Sequence, residues 1–241
     1  MRLGYDLKIA ILATMFDRFD EWSKPFAFAC RRGCAFCCTQ NVTVTAVEAW
    51  MLLDYIVAEN MQHWLIDRLQ CGLPNHRATL TTNQFAQFCL RGAAPQVEEG
   101  VFDASCPFLE NDRCMVYPVR PFSCRCFSST AVCRKGGSAI VPPEYLAAAT
   151  AVSQLIEHLG QFNLWGNMLH VLYVMGSETR LIDSSRAVKT LAAARDCCTT
   201  AQPLPGFLFD ASEAERIVPL IESIFAATID ERRIEDILNN R

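Results

Sequence analysis

The sequence has little histidine and little net charge. Its 241 residues include only four histidines, and 22 basic residues against 26 acidic ones leave a net charge of −4. A nucleic-acid-binding surface is usually marked by a basic surplus, and this chain has none, so we expect no nucleic acid among its partners. With so few imidazoles, a metal site in this chain would have to draw mainly on other ligands.

Long hydrophobic runs are also missing. A membrane-spanning helix needs about 20 consecutive apolar residues, and no segment approaches that length, so we expect no membrane span. The apolar run Ile9–Phe16 is short and is followed by Asp17, Asp20 and Glu21, which does not fit a signal peptide. We find no glycine-rich phosphate loop, no Ser/His/Asp arrangement and no nucleotide fingerprint. These absences favour a cytosolic protein, with its partner or substrate unknown.

Cysteine, in contrast, is abundant. The chain has 13 cysteines, and 11 of them lie between Cys30 and Cys133. An odd number cannot pair completely into disulfides, and the chain is longer than the small secreted domains that depend on disulfides. In a reducing cytosol, such a density of cysteine indicates metal binding or redox chemistry.

Helical periodicity dominates the rest of the sequence, and strand-like alternation is nearly absent. We predict a mainly α fold, a compact helical domain with irregular cysteine-rich metal-binding loops. Thr45–Glu48 and Ser212–Glu215 have the spacing of capping boxes, and Pro219 should kink or interrupt the last long helix. The predicted helices cover 3–22, 45–60, 62–70, 82–91, 143–159, 164–175, 184–196 and 212–225.

The predicted domain organisation is a single domain, 1–241. Within it, 26–135 forms the cysteine-cluster metal-binding region, and 143–241 forms a helical C-terminal part packed on it. Residues 93–142 combine five prolines with five cysteines. A long segment without regular structure is uncommon in a compact domain, so we expect a metal centre to order it.

The cysteines form two groups along the chain. The first group falls in a tight stretch where Gly33, free to adopt positive φ, can turn several sulfurs toward one point. The second group is more widely spaced and lies in the proline-rich zone. Zinc and iron–sulfur clusters are both held by about four thiolates. The first group is Cys30, Cys34, Cys37 and Cys38, and the second is Cys106, Cys114, Cys124, Cys126 and Cys133.

Basic side chains stand beside these cysteines. Cations near thiolates lower the thiol pKa and donate hydrogen bonds to sulfur. We assign Arg120 and Arg125, which flank Cys124, to cofactor binding; ordinary surface charges are the competing interpretation.

These motifs resemble the YkgJ-type cysteine-cluster family, a zinc- or iron-chelating domain. The CxxCxxCC-like element matches the first group of cysteines, and Cys-Pro-x-Leu matches Cys106–Leu109. Cys-x-Val-Tyr-x-x-Arg-Pro matches Cys114–Pro121, and a Cys-Arg pair follows at Cys124. The first gap here has three residues rather than two, as in the flagellin lysine methylase branch, which this motif also resembles. The ligand pool that the resemblance implies is Cys30, Cys34, Cys37, Cys38, Cys106, Cys114, Cys124 and Cys133.

Several alternatives remain open. Eight thiolates exceed one four-ligand site, so either two centres exist or one centre uses four of them. The centre is expected to be an iron–sulfur cluster, [4Fe–4S] above all, or alternatively zinc. It could be structural, or it could serve an S-adenosylmethionine-linked enzyme such as a protein lysine methyltransferase. Whether the protein is an enzyme is left open, although Cys30, Cys34 and Cys37 also have the spacing of a radical S-adenosylmethionine motif. His76 is the best nitrogen candidate, while His158 and His170 lie on apolar helices.

Overall fold

The computed structural model describes residues 4–70, 72–75, 77, 80–95, 104–134, 138–183 and 188–239. This part of the chain is mainly helical, as predicted. None of its helices has both the length and the apolar content needed to cross a bilayer. The helices are α1 (Tyr5–Ser23), α2 (Ala46–Ala58), α3 (Gln62–Gln70), α4 (Thr82–Leu90), α5 (Phe122–Arg125), α6 (Pro143–Leu159), α7 (Met168–Glu178), α8 (Val188–Asp196), α9 (Ala211–Ala226) and α10 (Ile234–Leu238).

The strands are short, and all pairs are antiparallel. Three of them form one sheet in the order β1–β4–β5, and the other four form two hairpins, β2–β3 and β6–β7. The strands are β1 (Thr43–Thr45), β2 (Leu109–Glu110), β3 (Arg113–Cys114), β4 (Leu164–Asn167), β5 (Thr199–Thr200), β6 (Thr228–Ile229) and β7 (Arg232–Arg233).

The amphipathic N-terminal helix is confirmed as α1. Its buried side chains recur at three- and four-residue spacing, as in Ile11, Met15 and Phe19, so they form one stripe along the helix. This stripe faces α6 and α9, and all three helices contribute to one cluster of buried apolar residues. Leu3, which the predicted helix included, lies outside the described residues.

A second apolar cluster lies on the other side of α2. It combines α2 and α7 with Phe108 and Val116 from the proline-rich zone. That zone, predicted to be irregular, contains β2, β3, a short 3-10 turn at Tyr117–Val119 and the single turn of α5. Its apolar side chains therefore anchor it to the helical core, although little of it is regular.

Two predicted helix starts are wrong. The segment 164–175 was expected to be helical throughout, but its first residues form β4, which pairs with β1 and β5. The helix α7 begins only at Met168, where the Asn167 side chain accepts a hydrogen bond from Leu169 N. For α9, the capping box is formed by Asp210 and Glu213, not by Ser212 and Glu215, and it starts the helix earlier.

Of the two outcomes predicted for Pro219, a kink or an interruption, the second does not occur, because α9 continues through this residue. An internal proline removes one hydrogen bond of the helix and typically kinks it. The buried side chains on either side of it, Ile217 and Leu220, hold α9 against the core, and this packing offsets the local cost.

The capping box at Thr45–Glu48 is confirmed, and Glu48 does more than cap α2. Its carboxylate is 4% exposed and accepts hydrogen bonds from Thr45 N at 2.8 Å and Thr45 Oγ1 at 3.0 Å. It also accepts one from Phe122 N at 2.9 Å, 74 residues away in the chain. A single buried carboxylate therefore joins the start of α2 to the start of α5.

We expect Glu48→Ala to lower the free energy of unfolding by about 3 kcal/mol, because it leaves buried N–H donors without an acceptor. Urea denaturation followed by circular dichroism measures this. Glu59→Ala, at the exposed end of the same helix, is the matched control and should change stability little. Equal stability of the two variants would contradict the role of Glu48.

Candidate metal centre

The two cysteine-rich stretches meet in space. On one side, Cys106 N donates to Cys38 O at 2.9 Å, and Gln40 N donates to Ala104 O at 3.0 Å. An isolated β-bridge between Thr39 and Ser105 continues this pairing. Backbone hydrogen bonds therefore fix the end of the first stretch beside the start of the second.

The other end of the first stretch is held by residues that follow α5. Ala29 N donates to Ser129 O at 2.8 Å, and Ser129 N donates to Cys30 Sγ at 3.3 Å. Ser129 is itself buried, and its Oγ accepts from Ile140 N at 3.0 Å. The first stretch thus lies between two parts of the proline-rich zone, one near Cys106 and one near Cys133.

Tight turns present the thiols of the first stretch. Cys34 N donates to Arg31 O at 2.9 Å, and Cys38 N donates to Ala35 O at 3.1 Å. Gly33 has a φ of +93°, a conformation that side-chain-bearing residues rarely adopt. The expectation that glycine would allow a sharp turn here is therefore confirmed.

A hairpin and a helical turn present the thiols of the second stretch. In the β2–β3 hairpin, Leu109 pairs with Cys114, and Asn111 and Asp112 form the two-residue loop with positive φ values of 49° and 60°. Positive φ at both loop positions is typical of a type I′ turn, whose twist matches that of the strands. Cys124 lies on α5, whose first N–H bonds to Glu48.

These elements surround a cavity of about 430 Å³, which we call the main cavity because most of the thiols line it. Seven of the eight thiols of the predicted ligand pool line it, and so do both predicted cofactor-binding residues, Arg120 and Arg125. Cys133, the eighth, lines a neighbouring cavity of about 550 Å³ together with Cys30 and Cys34, and we call this second space the outer cavity. The thiols that line the main cavity are Cys30, Cys34, Cys37, Cys38, Cys106, Cys114 and Cys124.

All cysteines in the described part of the chain are free of disulfides. Burial raises the pKa of several of these thiols, to about 11 at Cys106 and further at Cys124. Neighbouring thiols add to the effect, because negative charge on one sulfur disfavours charge on the next. Cys124 is raised in this way by Cys106 and Cys114, and Cys30 by Cys34, Cys37 and Cys133.

The adjacent residues Cys37 and Cys38 behave differently from each other. The Cys38 thiol donates a hydrogen bond to the Cys37 sulfur, and this lowers the pKa of Cys37 to about 6. The same hydrogen bond raises the pKa of Cys38, and burial raises it further. Cys37 is also exposed, so of the two thiols it is the more accessible to solvent.

The two predicted arginines have different surroundings. Arg120 lies over the Tyr117 ring, 4.2 Å from its centroid, and its charge lowers the pKa of Cys114, against the larger effect of burial. Arg125 donates to Asp20 Oδ2 at 2.8 Å, while its Nε is buried and finds no hydrogen-bond partner among the described residues. The Arg125 guanidinium also lies over the Phe16 ring, 4.6 Å from its centroid, so this side chain is held against α1.

The residues left out of the ligand pool lie elsewhere or play other parts. Cys126 contacts the apolar cluster around α1, and the Sγ of buried Cys198 donates to Ala194 O at 3.4 Å. His158 Nδ1 accepts from Leu204 N at 3.2 Å, which is a structural role. Cys71 and His76, the latter predicted as a nitrogen ligand, lie outside the described residues.

Sequence reasoning missed several residues that line the main cavity. Asp20 and Tyr145 belong to no motif, because they reach the cavity from α1 and α6 and only the fold brings them there. Glu48 is recognisable as a cap, but no local signal shows its bond to Phe122 N. The missed lining residues are Asp20, Ser123, Ser128 and Tyr145, whereas Tyr117 belongs to the motif matched at Cys114–Pro121.

Among the residues that the structure describes, no three His, Cys, Asp or Glu side chains form a group that could hold a metal ion. The thiols line common cavities without forming such a group. The chain also matches no family model, no curated protein and no solved structure. The chemistry of the site therefore has to be argued from these side chains alone.

We expect Cys37 in the reduced, metal-free protein to react with iodoacetamide with a pH midpoint near its pKa of about 6, and to slow below it as the thiolate is protonated. Cys38→Ala removes the donor and should move that midpoint to a clearly more alkaline pH. Cys38→Ser keeps a donor and should shift it less. Peptide mass spectrometry across pH measures the rate of alkylation at Cys37. If both variants have the same pH midpoint as the wild-type protein, the hydrogen bond from Cys38 is contradicted.

Proposed function

We propose that this protein is a metal-binding cysteine-cluster protein that holds an iron–sulfur cluster, with zinc as the alternative metal. The observation that carries the proposal is the arrangement of eight disulfide-free thiols, brought from four separate parts of the chain to two adjoining cavities. Soft thiolate ligands suit iron–sulfur clusters and zinc far better than they suit hard cations such as Mg²⁺ or Ca²⁺.

The donor set fits such a centre in number and chemistry. Four thiolates complete either a tetrahedral zinc site or a cubane cluster, and the eight thiols exceed that number. Binding requires the thiols to move closer together, because no three of them form a group that could hold a metal ion among the described residues. Rotation of cysteine side chains between staggered positions moves the sulfurs, and we propose that metal binding selects the rotamers that bring four of them together.

Burial of the thiols supports the same proposal. Bringing several ionised sulfurs together in a partly buried site is unfavourable, as the raised pKa values of Cys106 and Cys124 indicate. A bound cation reverses that balance, since metal coordination holds a thiol deprotonated. Arg120 and Arg125 are proposed to donate hydrogen bonds to the sulfurs or to a ligand beside them.

The resemblance to the YkgJ-type family remains part of the proposal. The residues that carry it are the ones that line the two cavities, including Cys38, Cys106 and Cys124. A reducing compartment, for which we propose the cytosol, would keep these thiols available for metal.

An enzymatic role is the second candidate, and the main cavity favours it. Besides the thiols, Asp20, Tyr117, Arg120 and Tyr145 line this cavity, so it combines acid, base and aromatic groups beside the proposed centre. Such a space suits a small charged cosubstrate, for which we propose S-adenosylmethionine, in methyl transfer to a protein lysine. Binding of S-adenosylmethionine to the metal-loaded protein, measured by calorimetry, separates this candidate from a carrier or structural role.

Anaerobic purification with absorbance spectra and analysis of iron, sulfide and zinc tests the metal proposal. We expect either a brown protein with iron and sulfide in matching amounts or a colourless one with zinc. Cys34→Ser and Cys37→Ser should each lower the bound metal and the melting temperature, because a lost ligand weakens both.

Cys89→Ser is the control for these variants. Cys89 lies on α4 and lines neither cavity, so its replacement should leave the metal content unchanged. If Cys34→Ser and Cys37→Ser retain full metal content and stability, or if the wild-type protein holds no metal, the proposed function is wrong.

A further inference from the structure

The thiols of the ligand pool line two adjoining cavities rather than one. Cys30, Cys34 and Cys133 line the outer cavity of about 550 Å³, whereas Cys37, Cys38, Cys106, Cys114 and Cys124 line only the main cavity. The two cavities share Cys30 and Cys34 and therefore adjoin.

The outer set is Cys30, Cys34, Cys37 and Cys133. The hydrogen bond from Ser129 N to Cys30 Sγ fixes the segment that carries Cys133 against the first cysteine stretch. The electrostatic partners of the Cys30 thiol are the other three members of this set and none of the second-stretch thiols nearer α5.

The inner set is Cys38, Cys106, Cys114 and Cys124. The backbone bond from Cys106 N to Cys38 O places the first two side by side, and the β2–β3 hairpin returns Cys114 toward Cys106. Cys124 on α5 lies near enough to Cys38, Cys106 and Cys114 for their charges to affect one another's thiol pKa, and the same holds for Cys126, which packs against the apolar cluster around α1.

The boundary between the sets falls between two consecutive residues. Cys37 is exposed and interacts with Cys30, whereas Cys38 is half-buried and interacts with Cys106 and Cys124. Because Cys37 and Cys38 are consecutive residues, the two sets adjoin along the chain.

We propose that the chain binds two separate metal centres, an outer one on Cys30, Cys34, Cys37 and Cys133 and an inner one on Cys38, Cys106, Cys114 and Cys124. Each set supplies the four thiolates that one zinc ion or one [4Fe–4S] cluster requires. This inference rests on the proposed function, and it adds the number of centres and the ligands of each.

The two centres differ in access. The outer cavity opens among strongly exposed side chains, with Phe36 63% and Val132 78% exposed. The inner set lies beside Arg120 and Arg125 and is held by α5, whose Phe122 is buried. A chelator should therefore reach the outer centre first.

Metal analysis of the full chain and of matched variants tests the inference. Wild-type protein should contain about two zinc ions, or about eight iron atoms with as much sulfide. Cys133→Ser removes an outer ligand and Cys114→Ser an inner one, and each should lose about half of the metal. The double variant should lose nearly all of it, and Cys89→Ser should lose none.

Chelator kinetics on the wild-type protein provide a second measurement if a variant fails to fold. Metal release into excess chelator should have two phases of equal amplitude, and the fast phase should belong to the more exposed outer centre. A wild-type stoichiometry of one centre, or complete metal loss in both single variants, overturns the two-centre inference alone. A wild-type protein without metal overturns the proposed function as well.

Discussion

The backbone pairing between the cysteine-rich stretches is the constraint on which the site depends. Two hydrogen bonds, Cys106 N to Cys38 O and Ala29 N to Ser129 O, hold the first stretch between two segments of the second. Loops with so little regular structure are costly to order, because each fixed residue loses conformational entropy. Here the helical core and these few bonds meet that cost, so the backbone sets the positions of the sulfurs.

Local sequence signals were enough to predict most of the helical frame. The α1 stripe follows from apolar residues at helical spacing, and the start of α2 follows from Thr45 and Glu48, three residues apart. Both signals act over a few residues, so the sequence reveals them directly. Likewise, thiol density and Gly33 were enough to identify where the candidate site lies.

Non-local interactions account for what the sequence could not predict. Leu164–Asn167 has the apolar content of a helix but forms a strand because β1 and β5 lie on either side of it. The bond between Glu48 and Phe122 N spans 74 residues, and no pattern marks it. The assignment of eight cysteines to two sets depends on the same kind of information, since Cys30 and Cys133 are brought together only by the fold.

Cys37 and Cys38 are consecutive residues, so the backbone links the two proposed sets of cysteine ligands directly. Consecutive Cα atoms are about 3.8 Å apart, and a planar, nearly rigid peptide unit joins them. A backbone movement at either cysteine therefore displaces the other through this one peptide unit. In the two-centre proposal, this peptide unit is the shortest covalent connection between the two sets of ligands, so a backbone change at one set reaches the other.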